Sequence, residues 1–321
     1  MPEGTAEDTA TRVFADHREL LFSVVYNMLG SVADTEDVLQ DTWLAWAARH
    51  GAGGAEEIGN PRAYLVRVAV NTALARQAVI NRRRETYVGP WLPEPLVSDA
   101  GAEESAERTE AVSMALLVVL ETLTPLERAV FVLHEVFGYA HTEIAAILDR
   151  SPSAVRQLAH RAREHVHARR PRYQADPKVQ RQVTERFLRA ALGGDIQALM
   201  EMLAPDVTLW TDGGGKARPA ALRPIHGADR VARTVTGGAG RERWPLDVRY
   251  RTVNGDPSAL LFDDDDAPFG VMVLDLAPDG DRIRGIYAVT NPDKLTHIDE
   301  ARQEEPREES RPEEPRQEQA R

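Results

Sequence analysis

Residues 123–166 read LTPLERAVFVLHEVFGYAHTEIAAILDRSPSAVRQLAHRAREHV. Thr124-Pro125 has the form of an N-cap followed by proline at the first helical position. Leu126, Val130, Phe131, Leu133 and Val136 then supply one apolar face. His141–Leu148 makes a short helix, Asp149-Arg150 a tight turn, and Ser151-Pro152 opens a second helix with Ser151 as its cap. Val155, Leu158 and Ala162 fall on the core side of this second helix. Ser153, Arg156, Gln157, His160, Arg161 and Arg163 lie elsewhere on its surface. This is helix-turn-helix spacing, with the second helix as the recognition element. Arginine reads guanine edges, glutamine reads adenine edges, and the remaining arginines neutralise phosphate. The competing reading is an ordinary helical hairpin with a solvated basic face.

The formal net charge of −12 over 321 residues argues at first against DNA. Local charge decides such contacts, however. Acid gathers in 99–110, in Asp263–Asp266 and in the tail. Between Arg150 and Arg172, Arg150, Arg156, Arg161, Arg163, Arg169, Arg170 and Arg172 oppose only Glu164. There is no cysteine, which excludes disulfides and thiolate metal sites. No apolar run approaches the roughly 18 residues of a membrane span, and Met1–Asp8 lacks an apolar signal core. These features suit a cytoplasmic protein without a membrane partner, and nothing points to a metal or cofactor.

Upstream, residues 9–86 read as a helical domain. Leu20, Leu21, Val24, Val25, Met28 and Leu29 recur near a 3.6 period, Gly30 stops that helix, and Ser31 or Asp34 caps the next. In Asp34-Thr35-Glu36-Asp37-Val38-Leu39-Gln40-Asp41-Thr42-Trp43-Leu44-Ala45-Trp46, the aspartates at i, i+3 and i+7 make one face acidic while Val38 and Trp46 line another. Taken alone, that is a solvated face over a buried one. Asn60-Pro61 then starts a long helix carrying Arg62, Tyr64, Arg67, Asn71 and Arg76 and ending in Arg82-Arg83-Arg84. Such a mixture suits single-stranded DNA, held by phosphate attraction and by pockets for extruded bases. It suits a core helix with a basic terminus equally.

Downstream, 111–172 holds the helix-turn-helix unit. Residues 87–110 between the two helical domains have no period and are rich in Gly and Pro, so they read as a linker. Yet Trp91, Leu92 and Leu96 in it are costly to expose and imply a docking surface. Asp176-Pro177 begins helices followed by short alternating runs, an α+β pattern over 176–298. Residues 299–321, with two copies of Glu-Glu-Pro-Arg, are expected to stay disordered.

In this order, Asp34–Trp46, Pro61–Asn71 and Leu123–Phe131 resemble the signature segments of extracytoplasmic-function RNA polymerase sigma factors. The resemblance covers about 9–170. It implies that Asp34, Glu36, Asp37, Gln40, Asp41 and Trp43 dock on the β′ clamp of core polymerase. It implies that Arg62, Arg67, Asn71, Arg76, Arg82 and Arg83 melt and read the minus-ten element. Ser153, Arg156, Gln157, His160, Arg161 and Arg163 would read the minus-thirty-five element, with the β flap as the partner of that domain. Ala75 departs from the family, where an aspartate often stands, and Gln77–Asn81 is mostly uncharged.

Three further motifs are similar to those of the sigma factors that bear a SnoaL/NTF2-like C-terminal extension. They are Trp91-Leu92-Pro93-Glu94-Pro95, Asp212-Gly213-Gly214-Gly215-Lys216 and Asn291-Pro292-Asp293-Lys294-Leu295. The implied fold is multidomain, two all-α sigma domains plus an α+β cone. Trp91, Leu92, Pro93, Asp212, Gly213, Lys216, Asn291, Pro292, Asp293 and Lys294 are the implied regulatory contacts between domains. The cone is expected to enclose a pocket that Trp210, Asp212, His226 and Tyr287 could line, open to a small-molecule ligand; the competing and favoured reading is that Asp212 caps the Gly-rich turn and His226 is a satisfied polar residue. Two other functions compete with the sigma factor: a ligand-responsive regulator that never joins polymerase, and a SnoaL-like cyclase or isomerase fused to a DNA-binding module.

Overall fold

The computed structural model describes residues 6–51, 58–98, 112–169, 175–217, 220–239, 247–278, 280 and 282–298. The tail 299–321 and the acidic stretch 99–110 lie outside the described residues.

The first unit is a bundle of α1 (Ala6–Leu29), α2 (Val32–Gly51) and α3 (Pro61–Glu85). On α3 the buried positions Leu65, Val66, Ala69, Val70, Ala73, Gln77 and Ile80 follow the helical repeat, so one stripe faces the bundle. They pack with Leu21, Val24, Val25 and Met28 of α1 and with Val38, Leu39 and Trp46 of α2. Gly30, at φ +68°, makes the left-handed exit from α1 that a side chain resists. Of the two candidate caps for α2, Ser31 is the one used: its Oγ accepts from the Asp34 amide at 3.2 Å. Asn60 caps α3 through the Ala63 amide at 3.0 Å.

The second unit holds α4 (Met114–Leu120), α5 (Pro125–Phe131), a π-helical turn at Val132–Val136, α6 (His141–Leu148) and α7 (Pro152–Arg169). Thr124 and Glu127 form a reciprocal capping box. Asp149 ends α6 in the left-handed region at φ 52°, and Ser151 Oγ accepts from the Ala154 amide at 3.2 Å to start α7. The turn between α6 and α7 is therefore fixed by residues legible in the sequence. Both helical units share one apolar cluster, in which Val24 and Ala69 of the first join Leu117, Val130 and Ile144 of the second.

The third unit combines α8 (Pro177–Gly193), α9 (Ile196–Met202) and α10 (Ala228–Ala239) with strands β2 (Leu203–Asp212), β3 (Ile225–His226), β4 (Asp247–Val253), β5 (Asp256–Phe262), β6 (Pro268–Leu276) and β7 (Ile283–Val289). A seventh strand, β1 (Val97–Ser98), comes from the segment read as a linker. The sheet order is β1-β4-β5-β6-β7-β2-β3, antiparallel except for the β2–β7 pair. Asn254 (φ 52°) and Gly255 (φ 77°) turn β4 into β5, the residue pair that a tight hairpin favours.

Alternation along the strands gives the sheet two buried faces. Leu209, Leu261, Met272, Leu274 and Ile286 meet Phe187, Leu199, Val231 and Val235 of the helices. Leu260, Phe262, Val271, Val273, Tyr287 and Val289 point the other way, onto Leu92, Met114 and Ala115. Burial on both sides is why β5 and β6 read as nearly continuous apolar runs. The described part of the 87–110 segment is consequently no spacer. Leu92 is fully buried, and Val97 and Ser98 pair with Val253 and Thr252 at the sheet edge.

Candidate functional site

Asp34, Asp37, Glu36, Gln40, Asp41 and Trp43 share α2 but not one environment. Glu36, Asp37, Gln40 and Asp41 are exposed. Asp34 is buried, accepting from Arg76 Nε at 2.9 Å and from Arg83 at 2.6 and 2.8 Å. Burial works against its charge, but the Arg76 and Arg83 hydrogen bonds win and hold its carboxyl below the usual range. Arg76 also pairs with Asp37. Two arginines assigned by resemblance to minus-ten DNA are thus paired within the bundle, although Arg83 stays exposed, as do Arg62, Arg67 and Arg82. Asn71 donates from Nδ2 to the Ile147 carbonyl at 3.0 Å, and the Arg62 guanidinium lies 5.8 Å from the Tyr139 ring centroid. The long helix α3 therefore touches the helix-turn-helix unit directly.

On α7, Ser153, Arg156, Gln157, His160 and Arg161 are exposed on one side, opposite buried Val155, Ala159 and Ala162. Arg161 pairs with Glu127 at 2.9 Å and Arg163 with Glu135 at 2.7 Å, which orients both. Burial and then the positive charges of His134, Arg156 and Arg163 hold His141 below its ordinary value, a sign of positive potential on this unit.

The three motifs of the C-terminal resemblance converge. Asp212 is fully buried at the end of β2. Its carboxylate accepts from the Leu92 amide at 2.8 Å, from Lys294 Nζ at 2.8 Å, from the Gly214 amide at 3.2 Å and from the Tyr87 hydroxyl. Its carbonyl accepts from the Thr290 and Asn291 amides at 2.8 and 2.9 Å. Asn291 Nδ2 donates to the Tyr87 oxygen at 2.9 Å, and Lys216 pairs with Asp293 at 2.5 Å. Lys294, only 3% exposed, also donates to the Leu92 carbonyl and sits 3.5 Å from the Trp91 ring centroid. Burial pulls its ammonium down from the usual lysine value against the attraction of Asp212. Burial and then Asp212 push the Tyr87 hydroxyl up, so it stays a proton donor. Gly214 is required for space: a Cβ there would lie 2.5 Å from the Asn291 side-chain nitrogen Nδ2.

Glu94, in the same short stretch as Trp91 and Leu92, faces the opposite way. Its amide donates to Gly30 O at 2.9 Å, and its carboxylate accepts from Ser31 Oγ at 3.2 Å and from the Val32 and Ala33 amides. An acidic side chain thus caps the start of α2, where the free N–H groups favour it. Tyr26 of α1 donates to Glu94 O at 2.6 Å and accepts from Asn254 Nδ2 at 2.6 Å, joining α1, the linker and the β4–β5 hairpin at one hydroxyl. Pro95 O bonds His297 Nε2, and Leu96 exchanges hydrogen bonds with Asn254.

Sequence reasoning missed Tyr26 and Asn254, and quoted Glu94 only as part of a motif. Two signals were available: a lone carboxylate between prolines in an apolar stretch, and an Asn-Gly pair between strand-like runs.

The proposed cone pocket needs correction. Trp210, Asp212 and Tyr287 lie on the sheet face turned away from α8, α9 and α10, with Trp210 stacked on Tyr287 at 4.9 Å and Asp212 closed over by the linker. His226 pairs with Thr208, four residues before Asp212 along β2, so the two are about 13 Å apart at ordinary strand rise. His226 bonds Thr208 at 3.0 Å and flanks a cleft with Met200, Leu203, Pro205 and Arg230. No acid/base pair forms from these residues. Among the described residues there is no cluster of three metal-ligating side chains, and no helix is long and apolar enough to cross a membrane.

A profile of Sigma-70 region 2 matches residues 13–84, and one of Sigma-70, region 4 matches 113–166. The chain is 39% identical over 224 residues to "ECF RNA polymerase sigma factor SigJ" of Mycobacterium tuberculosis, covering 68% of this chain and 70% of that protein. It is 30% identical over 294 residues to "Probable ECF RNA polymerase sigma factor SigI" of the same species, covering 90% and 95%. The crystal structure of M. tuberculosis SigJ superposes with a TM-score of 0.69 at 33% identity, covering 88% of this chain and 97% of that one.

Proposed function

The chain belongs to the extracytoplasmic-function RNA polymerase sigma factors, and from that premise we propose that its C-terminal α+β domain governs the sigma activity in cis. Sigma factors of this family bind core polymerase and promoter DNA and initiate transcription; that function is this chain's. The unit 9–86 is region 2 in this reading, and 111–172 is region 4. The exposed acids of α2 with Trp43 meet the β′ clamp, region 4 meets the β flap, Arg62, Arg67, Asn71 and Arg82 meet the minus-ten strand, and Arg156, Gln157 and His160 read minus-thirty-five bases. The 176–298 domain serves as a regulator and not as an enzyme.

One observation carries the proposal. Asn71 of the strand-opening helix hydrogen-bonds Ile147 of the duplex-reading unit at 3.0 Å. The two promoter elements lie about 25 base pairs apart, or roughly 85 Å at the duplex rise of ~3.4 Å. A compact unit the size of regions 2 and 4 together has a radius of gyration of only about 14 Å. The closed chain cannot reach both elements, so initiation requires the regions to part. The linker between them is held at Asp212 and Lys294 by the C-terminal domain and at Gly30 and Ser31 by region 2. A ligand that prefers the open form would shift this equilibrium, and the cleft beside His226 is where a small molecule would enter.

The test is run-off transcription with core polymerase, using Trp91→Ala and Asp212→Ala singly and combined. Non-additive effects are expected, because the two residues belong to one knot. Strictly additive effects would make the extension an independent passenger.

A further inference from the structure

Arg84 ends α3 in a run of three arginines, yet it does not face solvent as a DNA contact would. Its side chain is 17% exposed. Its guanidinium pairs with Glu121 of region 4 and donates to the Leu29 carbonyl at 3.4 Å. The other Glu121 oxygen accepts from Arg128 at 2.7 Å. Arg128 is 1% exposed and reaches back into region 2, where its Nε donates to the Asn27 carbonyl at 3.0 Å. One region 4 carboxylate is therefore held between a cation from each region. The closeness is set at Gly30, where a Cβ would lie 3.2 Å from Glu121 Oε1 and 3.4 Å from Pro93 Cβ.

The Arg84 guanidinium has a second neighbour. It lies 4.7 Å from the Trp91 ring centroid, and Lys294 lies 3.5 Å from the same ring. The indole thus contacts both a region 2 cation and a C-terminal-domain cation. We infer that Arg84 is a positioning residue that transmits the state of the C-terminal clasp to the region 2–region 4 contact. With Trp91 seated, water is kept from the Arg84–Glu121 pair. When Trp91 lifts, water enters and the attraction falls about fourfold, the ratio between a part-buried and a fully hydrated pair. Region 4 is then free to leave. This inference rests on the clasp proposed above and adds the route by which its opening reaches the DNA-reading units.

The chain has no cysteine, so pairs of spin labels can be placed at will. Asp16→Cys with Ala168→Cys reports the region 2–region 4 distance in the full chain. Asp16→Cys with Arg189→Cys reports the region 2–C-terminal domain distance. Trp91→Ala should lengthen both, raising the separated population of regions 2 and 4 roughly tenfold to thirtyfold, the worth of one desolvated cation–aromatic contact. Trp91→Phe, which keeps an apolar ring, should give a smaller change of the same sign. Arg84→Gln should lengthen the first distance, and Arg84→Lys, which keeps a cation on Glu121, should restore it. In a Glu121→Gln background, Trp91→Ala should add nothing further to the first distance. If Trp91→Ala lengthens only the second distance, the transmission through Arg84 is overturned while the clasp stands. If neither distance changes, the clasp falls with it.

Discussion

Replacing Asp212 by alanine strikes the centre of the interdomain knot. The carboxylate is fully buried and accepts four hydrogen bonds, one from a lysine that is 3% exposed. Removing it leaves the Lys294 ammonium buried without its counter-charge and the Leu92 amide without an acceptor. Breaking a buried pair from one side costs about 3–5 kcal/mol. At about 1.4 kcal/mol per tenfold, the linker should open from the C-terminal domain roughly two to four orders of magnitude more often. Amide hydrogen exchange at Leu96 reads that opening, because its N–H is donated to Asn254 Oδ1 of the C-terminal domain at 3.2 Å, a contact the substitution leaves in place. The second arm is Asp212→Ala with Lys294→Met. Taking both charges away removes the unpaired ammonium, so the double variant should lose less protection than Asp212→Ala alone. Unchanged exchange at Leu96 in Asp212→Ala, or a double variant as damaged as the two singles summed, would refute the reasoning.

Other outcomes follow from the same geometry. Arg156→Ala should cost roughly 1–3 kcal/mol at one or two minus-thirty-five positions in binding assays on base-substituted duplexes, whereas Arg163→Ala, whose guanidinium Glu135 orients, should weaken binding evenly. Reversing exposed Asp37 and Asp41 to arginine should weaken co-purification with core polymerase. Tyr26→Phe leaves Asn254 Nδ2 without its acceptor and should lower the unfolding free energy by about 1–3 kcal/mol in urea titration. Burial opposes the Glu121 charge, but Arg128 and Arg84 hold its carboxyl below the ordinary 4.5. Its stabilisation is therefore complete above pH 4.5 and lost as pH falls through the folded value. The region 2–region 4 distance of the wild type should lengthen across that acid range, and the Glu121→Gln variant should lack this part of the response.

Elements with local signals were legible. Thr124-Pro125, Ser151-Pro152 and Asn60-Pro61 are caps that act within a few residues, and all three start helices where the sequence places them. The α+β order of the C-terminal domain followed from the change of period. The parts that depend on which sheet face is turned inward were not legible. Asp212, Trp210 and Tyr287 alternate correctly along their strands, but both sheet faces are buried, so alternation does not say which one encloses a pocket. Long-range polar contacts were hidden for another reason. Tyr26 and Asn254 are 228 positions apart, and nothing local marks either as a partner. Asp34 read as one more acid on a solvated face, because the arginines that bury it lie 42 and 49 residues away.

The central claim is that regions 2 and 4 must part before transcription starts. Arg62 and Tyr139 face each other across that contact, 5.8 Å from guanidinium to ring. Cysteines at these two positions, joined by a short reversible crosslinker in a chain with no other thiol, would lock the regions together. The decisive measurement is run-off transcription by core polymerase with the locked protein, before and after reduction, at equal core occupancy. Little or no transcript from the locked form, and recovery on reduction to the level of the Arg62→Cys single variant, is the expected result. Equal transcript from the locked and reduced forms would contradict the account.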